Sequence, residues 1–206
     1  MGLLTMLIGK GDRRLITRIK TAARGVAIST GLCLALSPAP AVAAEGAALE
    51  NVVKAAYLSK FGFYVEWPKA ALASPSIALN LCVAGEDPFG TVLDKAVAAQ
   101  QGGRPIAVRR LKSVGANSGC HVLYVGAAEP SRAAQWIATV RGDGVLTVSD
   151  VRGAGEVGAI INFVVKDNRV RFDIDEGAAL QNGLTISSKL MSLAVGVKRK
   201  KPEESR

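Results

Sequence analysis

Histidine, cysteine and aromatic residues are scarce in this chain of 206 residues, and the shortage excludes several kinds of active site. Nucleophile–base catalysis needs a base beside the nucleophile. The single histidine, His121, begins an apolar run that is typical of a buried strand. No G-x-S-x-G, Walker or H-E-x-x-H motif occurs, and no two carboxylates stand at a defined catalytic spacing. We therefore expect no catalytic residues and no enzymatic activity.

Metal and nucleotide sites have equally little support in the sequence. His121 follows Cys120, but two adjacent ligands do not complete a zinc site. The segment Gly85–Gly90 (GEDPFG) lies between a predicted strand and a predicted helix, where a phosphate-binding loop would be. Its two acids repel phosphate and its proline removes an amide donor. We predict neither a metal nor a cofactor.

The positive charge of the chain is unevenly distributed. The formal net charge is +9 and the pI is about 9.7, values that suggest nucleic-acid binding. However, residues 1–44 carry six basic residues and one acid, which leaves 20 basic and 16 acidic residues in the rest. Part of that remaining excess is the run Lys198–Lys201. Since the folded part is close to neutral, we predict no nucleic-acid partner.

The first 43 residues have the pattern of a secretory signal peptide. A basic segment precedes the apolar run Gly25–Leu36, which at about a dozen residues is too short to span a bilayer comfortably. Two prolines follow, and Ala41-Val42-Ala43 matches the small-residue cleavage pattern, with the cut before Ala44. We predict export from the cytoplasm. An uncleaved anchor and twin-arginine export through Arg13-Arg14 are the alternatives.

Two cysteines, Cys82 and Cys120, remain after the leader and its Cys33 are removed. In an oxidising compartment an even number of cysteines favours a disulfide. This bond would close a loop of about 38 residues, for which the chain-entropy model gives roughly 4 kcal/mol. Two free buried thiols are the alternative.

Apolar periodicity predicts a single α/β domain over residues 44–197, followed by a charged, disordered tail over 198–206. The first helix, about 47–67, holds five of the ten aromatic residues, and we expect Pro68 to end it. Strands and helices then alternate as in a sheet with crossover helices. The strands are predicted at 77–84, 105–111, 121–125 and 145–148, and the helices at 87–101 and 131–141.

The last third of the domain predicts a β-hairpin followed by two short helices. Segments 159–165 and 169–174 flank an Asp-Asn pair suited to a tight turn. Asp175 and Ser187 are predicted to cap the helices. The predicted fold is thus a mixed, mostly parallel sheet of about six strands, with helices on both faces and a C-terminal β-hairpin.

Two segments are candidates for recognition of a partner. The first is the exit of the aromatic helix, for which a purely structural role in the core is the alternative. The second is the glycine-rich segment 150–158, which is alternatively a plain connection to the hairpin or a cradle for an anion. The candidate residues are Tyr64, Glu66, Trp67, Pro68, Arg152, Gly153 and Gly158.

Several segments also occur in a characteristic order. Val53–Pro68 (VKAAYLSKFGFYVEWP) is rich in aromatic residues and ends in E-W-P. It is followed by Leu81–Gly90, Arg104–Leu111, Gly119–Gly126, Val145–Asp150 and Arg171–Ala194. Together these segments resemble the YfiR/HmsC-like family of periplasmic proteins over about residues 50–194. Their order and spacing carry the resemblance, rather than any one motif.

The resemblance implies regulation. Members look like small periplasmic repressors that bind the periplasmic sensor region of an inner-membrane diguanylate cyclase. Repression lowers cyclic-di-GMP and restrains exopolysaccharide and biofilm formation, and stress releases the cyclase. Relatives tend to form homodimers, which we expect here as well. A periplasmic sensor of a small ligand without a cyclase partner is the competing interpretation, and an enzyme of unknown type is a third.

The cysteines also match the resemblance. Cys82 and Cys120 stand at the family's disulfide positions, whereas a second pair seen in some relatives would fall in Asp150–Gly158, which has no cysteine here. Relatives often show G-F-x-x-x-G-G in that loop, and Ala154 and Ala159 replace its aromatic residue and second glycine. Whether the single disulfide acts as a redox switch or only as a structural link is left open at this point.

Overall fold

A computed structural model describes residues 41–72, 74, 76–153, 155–156 and 158–199. The predicted signal peptide up to residue 40 and the tail from residue 200 lie outside the described residues. The described chain begins with helix α1 (Ala41–Phe61), a 3-10 turn (Gly62–Tyr64) and the two-residue strand β1 (Val65–Glu66).

Strands and helices alternate through the rest of the chain. In order, they are β2 (Leu79–Ala84), α2 (Thr91–Ala98), β3 (Ile106–Leu111), β4 (Val122–Val125), α3 (Pro130–Thr139), β5 (Leu146–Ser149), β6 (Ile161–Lys166), β7 (Arg169–Asp175), α4 (Glu176–Gln181), β8 (Thr185–Ile186), α5 (Ser188–Met191) and β9 (Gly196–Lys198).

The main sheet has seven strands in the order β3-β2-β4-β5-β6-β7-β9. Its neighbouring strands run parallel, except in the antiparallel hairpin of β6 and β7. Strands β1 and β8 form a separate antiparallel pair. The predicted α/β fold with a mostly parallel sheet and a C-terminal hairpin is therefore confirmed.

Helices cover both faces of the sheet. Leu81 and Val83 of β2 pack in one hydrophobic cluster with Leu58 of α1 and Leu93 of α2. Cys82 lies on the opposite face, as its position in the alternation predicted, and packs in a second cluster. Side chains of α3 complete that cluster, among them Ala133 and Trp136. The α3 side therefore has its own smaller core.

The first helix ends earlier than the sequence predicted. It stops at Phe61, six residues before Trp67, and Pro68 is not its terminator. Trp67 instead turns back, and its indole Nε1 donates a hydrogen bond to the carbonyl oxygen of Gly62 (3.2 Å). Pairing of β1 with β8 requires extended backbone at Val65. This long-range pairing overrides the local helical pattern.

The second helix begins later than predicted, at Thr91. Asp87 does not cap it, because the Asp87 carboxylate accepts a hydrogen bond from the Phe89 amide (2.8 Å) and pairs with Arg110 Nε (2.7 Å). Gly90, with a φ of 49°, immediately precedes the helix. The pairing with β3 therefore holds this turn outside the helix.

The hairpin and its caps follow the sequence closely. Asp167 and Asn168 have φ values of 51° and 54°, as a tight two-residue turn requires. Asp175 accepts a hydrogen bond from the Ala178 amide (2.8 Å), and Ser187 from the Leu190 amide (3.3 Å). Strand β9 was not predicted. It includes Lys198, which had been placed in the tail.

Candidate partner-binding surfaces

The exit of α1 is largely packed against the fold. The Trp67 ring meets the His121 ring edge-on, with centroids 6.1 Å apart. Pro68 packs beside Gly144 and Gly183, close enough that a Cβ on either glycine would touch its ring. The Tyr64 carbonyl accepts a hydrogen bond from the Ser187 amide (2.9 Å). Among the four candidate residues of this segment, only Glu66 is classed as exposed.

His121 is held by the backbone around it. Its Nδ1 accepts a hydrogen bond from the Asn80 amide (2.9 Å), so Nε2 carries the proton and donates to the Ala71 carbonyl (3.1 Å). Both ring nitrogens are thus engaged at the amino ends of β2 and β4. The arrangement agrees with the structural role that the sequence suggested for this residue.

The segment 150–158 borders a broad open cleft of about 1010 Å³. The β6–β7 hairpin, the end of β9 and residues Glu50 and Lys54 of α1 form its other walls. Arg152 is exposed, and Gly153 opens a turn that is closed by the Glu156 amide (2.8 Å to the Gly153 carbonyl). Both residues line the cleft.

Gly158, the third candidate in this loop, does not line the cleft. Its φ is 87°, and a Cβ there would lie 3.0 Å from Arg141 Nη2, just beyond the end of α3. This backbone conformation turns the chain into β6, whereas Arg152 and Gly153 line the cleft.

The two candidate surfaces lie at opposite ends of the sheet. Trp67 contacts His121, directly before β4, and Pro68 contacts Gly144, two residues before β5. The cleft begins at Asp150, directly after β5. Since β4 and β5 run parallel, their starts and ends face opposite edges, roughly 13 Å apart for four residues. The α1 exit and the cleft are therefore two separate candidate surfaces.

An ion pair joins α1 to the start of the cleft loop. Lys54 Nζ lies 2.6 Å from Asp150 Oδ2, and the two side chains are only 10% and 11% exposed. Glu50, one helical turn earlier, approaches Lys54 Nζ at 3.8 Å. The pair ties the loop to the helix at the edge of the cleft.

Sequence reasoning missed Lys54, although a signal was present. Positions 54, 58 and 61 share one helical face, and Leu58 and Phe61 are buried in the core. Leu49, earlier in the same helix, is 66% exposed. A lysine on a buried helical face needs a partner, and Asp150 supplies it.

Tyr124 lies beside this ion pair, at the carboxyl end of the sheet. Burial, and then the charge of Asp150, raise the pKa of the Tyr124 hydroxyl well above its usual value. Within the described residues, Tyr124 Oη and Asp150 Oδ1 are buried without a hydrogen bond of normal geometry, although the hydroxyl lies close enough to the Asp150 carboxylate for a weak hydrogen bond to add to the raised pKa. The Phe89 ring packs on Tyr124 at 4.8 Å. The site is tightly packed but imperfectly paired.

The crevice where doubly wound sheets usually bind ligands is occupied by side chains. That place is the carboxyl end of β2 and β4, from which the chain leaves toward opposite faces. The Glu129 side chain lies directly against Gly85, and Phe89 covers Tyr124. Glu129 is also buried and bonded to Arg132 (2.9 Å). The cleft near Arg152, by contrast, is open.

Replacing Tyr124 with phenylalanine is expected to raise the free energy of unfolding by about 1 kcal/mol, because an unpaired buried hydroxyl is removed. Folding raises the pKa of Tyr124, so the pH does not change the stability through this group below about pH 10, and the free energy of unfolding falls as the pH rises further. Tyr124→Phe should reduce that alkaline loss. Urea titrations at pH 7 and pH 10.5 measure both effects, with the half-buried Tyr64→Phe as control. If Tyr124→Phe lowered the free energy of unfolding at pH 7, the Tyr124 hydroxyl would have to be hydrogen-bonded in the folded protein.

Cys82 and Cys120 are bonded in the structure, with an S–S distance of 2.01 Å. Both are buried, and Cys120 precedes β4, so the bond links β2 to the loop that leads into β4. Neither cysteine lines the cleft. The bond therefore braces the α3 side of the sheet, away from the cleft.

The Cys82→Ala/Cys120→Ala variant is expected to lose about 2–4 kcal/mol of unfolding free energy, because the bond closes a loop of 38 residues. Urea denaturation followed by circular dichroism measures the loss. Wild-type protein unfolded and refolded in reductant should show the same shift, which separates the lost bond from the changed side chains. Equal midpoints with and without reductant would contradict a stabilising bond.

Two further features of the described residues concern membranes and metal ions. No helix in the described ranges is long and apolar enough to cross a bilayer. Across the same residues, no cluster of three or more histidine, cysteine or acidic side chains is arranged to hold a metal ion.

These features define a doubly wound α/β domain with a filled switch-point crevice and one broad open cleft. A family model described as YfiR/HmsC-like matches residues 51–195, and the chain belongs to this family. Its members are periplasmic regulators in cyclic-di-GMP signalling, not catalysts, and generally interact with the periplasmic region of a diguanylate cyclase. The resemblance stated from the sequence is confirmed.

Proposed function

We propose that this protein binds the periplasmic sensor region of an inner-membrane diguanylate cyclase and holds the enzyme inactive. Cyclic-di-GMP then falls, and exopolysaccharide and biofilm formation are restrained. Family membership over residues 51–195 is the observation that carries this proposal. Residues 1–43 are proposed as a signal peptide cleaved near Ala43/Ala44, which delivers the domain to the periplasm. The protein acts by binding, without a catalytic step.

The cleft is the better candidate for the partner surface. Arg152 is exposed at its rim, and no ion pair engages Arg152 within the described residues. The indole N–H of Trp67, by contrast, is hydrogen-bonded to Gly62, and its ring packs against His121. A regulator that works by binding needs accessible side chains that are not already engaged within its own fold. Of the four candidate residues at the α1 exit, only Glu66 is exposed.

A second candidate function is a sensor of a small periplasmic ligand without a cyclase partner. The volume of the cleft, about 1010 Å³, favours it, since ligand sites usually measure roughly 300–1,000 Å³. The cleft is open to solvent, which favours a macromolecule instead, because ligand sites enclose most of their ligand.

Capture from membranes separates the two functions. The mature chain, residues 44–206, carries an affinity tag and is incubated with detergent-solubilised membranes of its source cells. We expect a diguanylate cyclase as the main captured protein. Arg152→Glu should reduce capture by about tenfold, as expected for a charge at a protein interface. Glu66→Lys, the matched charge reversal on the α1 exit, should leave capture unchanged.

Failure to capture a cyclase would overturn the proposed regulation. Capture that is lost with Glu66→Lys and kept with Arg152→Glu would move the interface to the α1 exit. Trp67→Ala then decides whether that surface includes the indole, provided that circular dichroism shows the variant folded.

A further inference from the structure

Strand β6 continues beyond the end of its parallel neighbour. Strand β5 ends at Ser149, which pairs with Asn162, whereas β6 runs on to Lys166. The four residues 163–166 therefore have β7 on one side and no described strand on the other. An unpaired strand edge of this kind is a template for another extended chain.

This free edge faces the cleft. Phe163, Val164 and Val165 line the same concavity as Arg152 and Gly153. Lys166 and Arg169 flank the two-residue turn and so form a hydrogen-bonded pair, and the hydrogen bond from the Asp175 amide to the Ile160 carbonyl (2.8 Å) fits the same register. Antiparallel pairs alternate, so residues 162, 164 and 166 also bond toward β7. Val165 therefore directs its N–H and C=O toward the cleft.

The side chains beside this edge divide into two faces. On the α1 side, Phe163 is buried, but Val165 is 55% exposed. On the other side, Lys166 and Arg169 are exposed, and Arg171 is half-buried beside Val164. No ion pair occupies these three cations in the described part of the chain. A chain lying along β6 would meet an apolar residue on one face and a net positive charge on the other. Nearby acids that have no ion pair in the described chain include Asp173, on that face, and Glu156, in the cleft wall.

We propose that the edge of β6 binds an extended protein segment as an added strand, one with alternating acidic and apolar side chains. Backbone hydrogen bonds to Val165 would supply affinity, as in other cases of β-strand addition. The acidic side chains would lie over Lys166 and Arg171, and the apolar ones would cover Val165. As an account of how the cyclase is recognised, this rests on the proposed function. The edge itself is testable without a cyclase.

The plain alternative is that these cations only protect an exposed edge from aggregation, as charged residues often do. The two interpretations differ in what an acidic strand does. If the cations only prevent aggregation, an acidic strand does not bind to this edge. If the edge is a binding site, an acidic strand binds to it.

The test uses a fluorescein-labelled eight-residue peptide of alternating glutamate and valine, with blocked ends, and the mature chain. Fluorescence anisotropy is expected to show saturable binding, and amide exchange at Val165 should slow when the peptide is bound. An alternating lysine–valine peptide should bind about tenfold more weakly. Two further glutamate–valine peptides are N-methylated on every second residue, one on the odd and one on the even positions. Because only one of these sets of N–H groups can face β6, the two peptides distinguish strand addition from charge attraction alone. The one methylated on the nitrogens that face β6 should also bind about tenfold more weakly.

Protein variants provide the matched controls. Lys166→Glu/Arg171→Glu should weaken binding by about tenfold. Lys69→Glu, an exposed charge reversal near the opposite end of the sheet, should leave it unchanged. Absent binding at millimolar peptide, equal binding of both methylated peptides and the unmodified one, or unchanged exchange at Val165 would each overturn the inference. None of these results depends on whether a cyclase is captured from membranes, so the two proposals fail separately.

Discussion

Phe61→Ala is expected to lower the free energy of unfolding by about 3–5 kcal/mol, the largest effect of any single core substitution proposed here. Phe61 is 1% exposed. Its ring centroid lies 5.2 Å from that of Phe172 and 5.8 Å from those of Tyr57 and Phe163. Alanine would leave a cavity among three rings that belong to different elements and cannot close it together.

Phe63→Ala is the matched control, because Phe63 lies two residues further on and is 39% exposed. It should cost less than about 1 kcal/mol. Urea titrations of both variants, read by tryptophan fluorescence, measure the difference. Similar losses for the two would mean that the aromatic cluster does not anchor α1 on the sheet.

Lys54→Met is expected to destabilise the protein by about 3–5 kcal/mol at neutral pH, because it leaves the Asp150 carboxylate buried without its partner. One oxygen of that carboxylate already has no hydrogen-bond partner in the described structure. Calorimetry or urea titration measures the loss. Lys60→Met, an exposed lysine on the same helix, should change stability by less than about 0.5 kcal/mol.

The double variant Lys54→Met/Asp150→Leu tests the cause. Replacing both members of a buried ion pair with apolar residues is often nearly neutral, so stability should return to within about 1 kcal/mol of the wild type. A double variant as unstable as Lys54→Met would show that Lys54 acts through packing of its aliphatic chain. The comparison also reports on the cleft, since the pair fastens its loop to α1.

The position of the disulfide favours a structural role over a sensing role. Cys82 and Cys120 are 0% and 7% exposed, so a reductant reaches them only when the fold opens. The cleft loop, where some relatives are implied to carry a second pair, has no cysteine here. Reduction of the remaining bond would therefore weaken the whole domain and would not act on the cleft loop alone.

Elements with strong local signals could be predicted from the sequence. The apolar runs of β4 and β5 and the alternation in β7 identified buried and half-buried strands. Asp167 and Asn168 marked the hairpin turn, and Asp175 and Ser187 marked two helix starts. Each of these features depends on side chains and backbone within a few residues of one another. The sequence was therefore sufficient to predict them.

The ends of α1 and α2 were misjudged because distant segments decide them. The pairing of β1 with β8 draws the chain out of its helix after Phe61. The ion pair of Asp87 with Arg110, 23 positions away, holds Asp87 outside α2. Strand β9 has only three residues and depends on β7 for its pairing. Local propensity contains no information about such partners.

By itself, the sequence determined the fold class, the family and the pair of cysteines, because these depend on local periodicity, ordered motifs and count. Only the tertiary structure decided which candidate surface is accessible. In the folded chain, Trp67 packs against His121, Gly158 lies close to Arg141, and an open cleft lies beside Arg152. The reason is physical. Exposure and strand pairing depend on which distant segments come together, and strand β6 has a free edge only because β5 ends at Ser149.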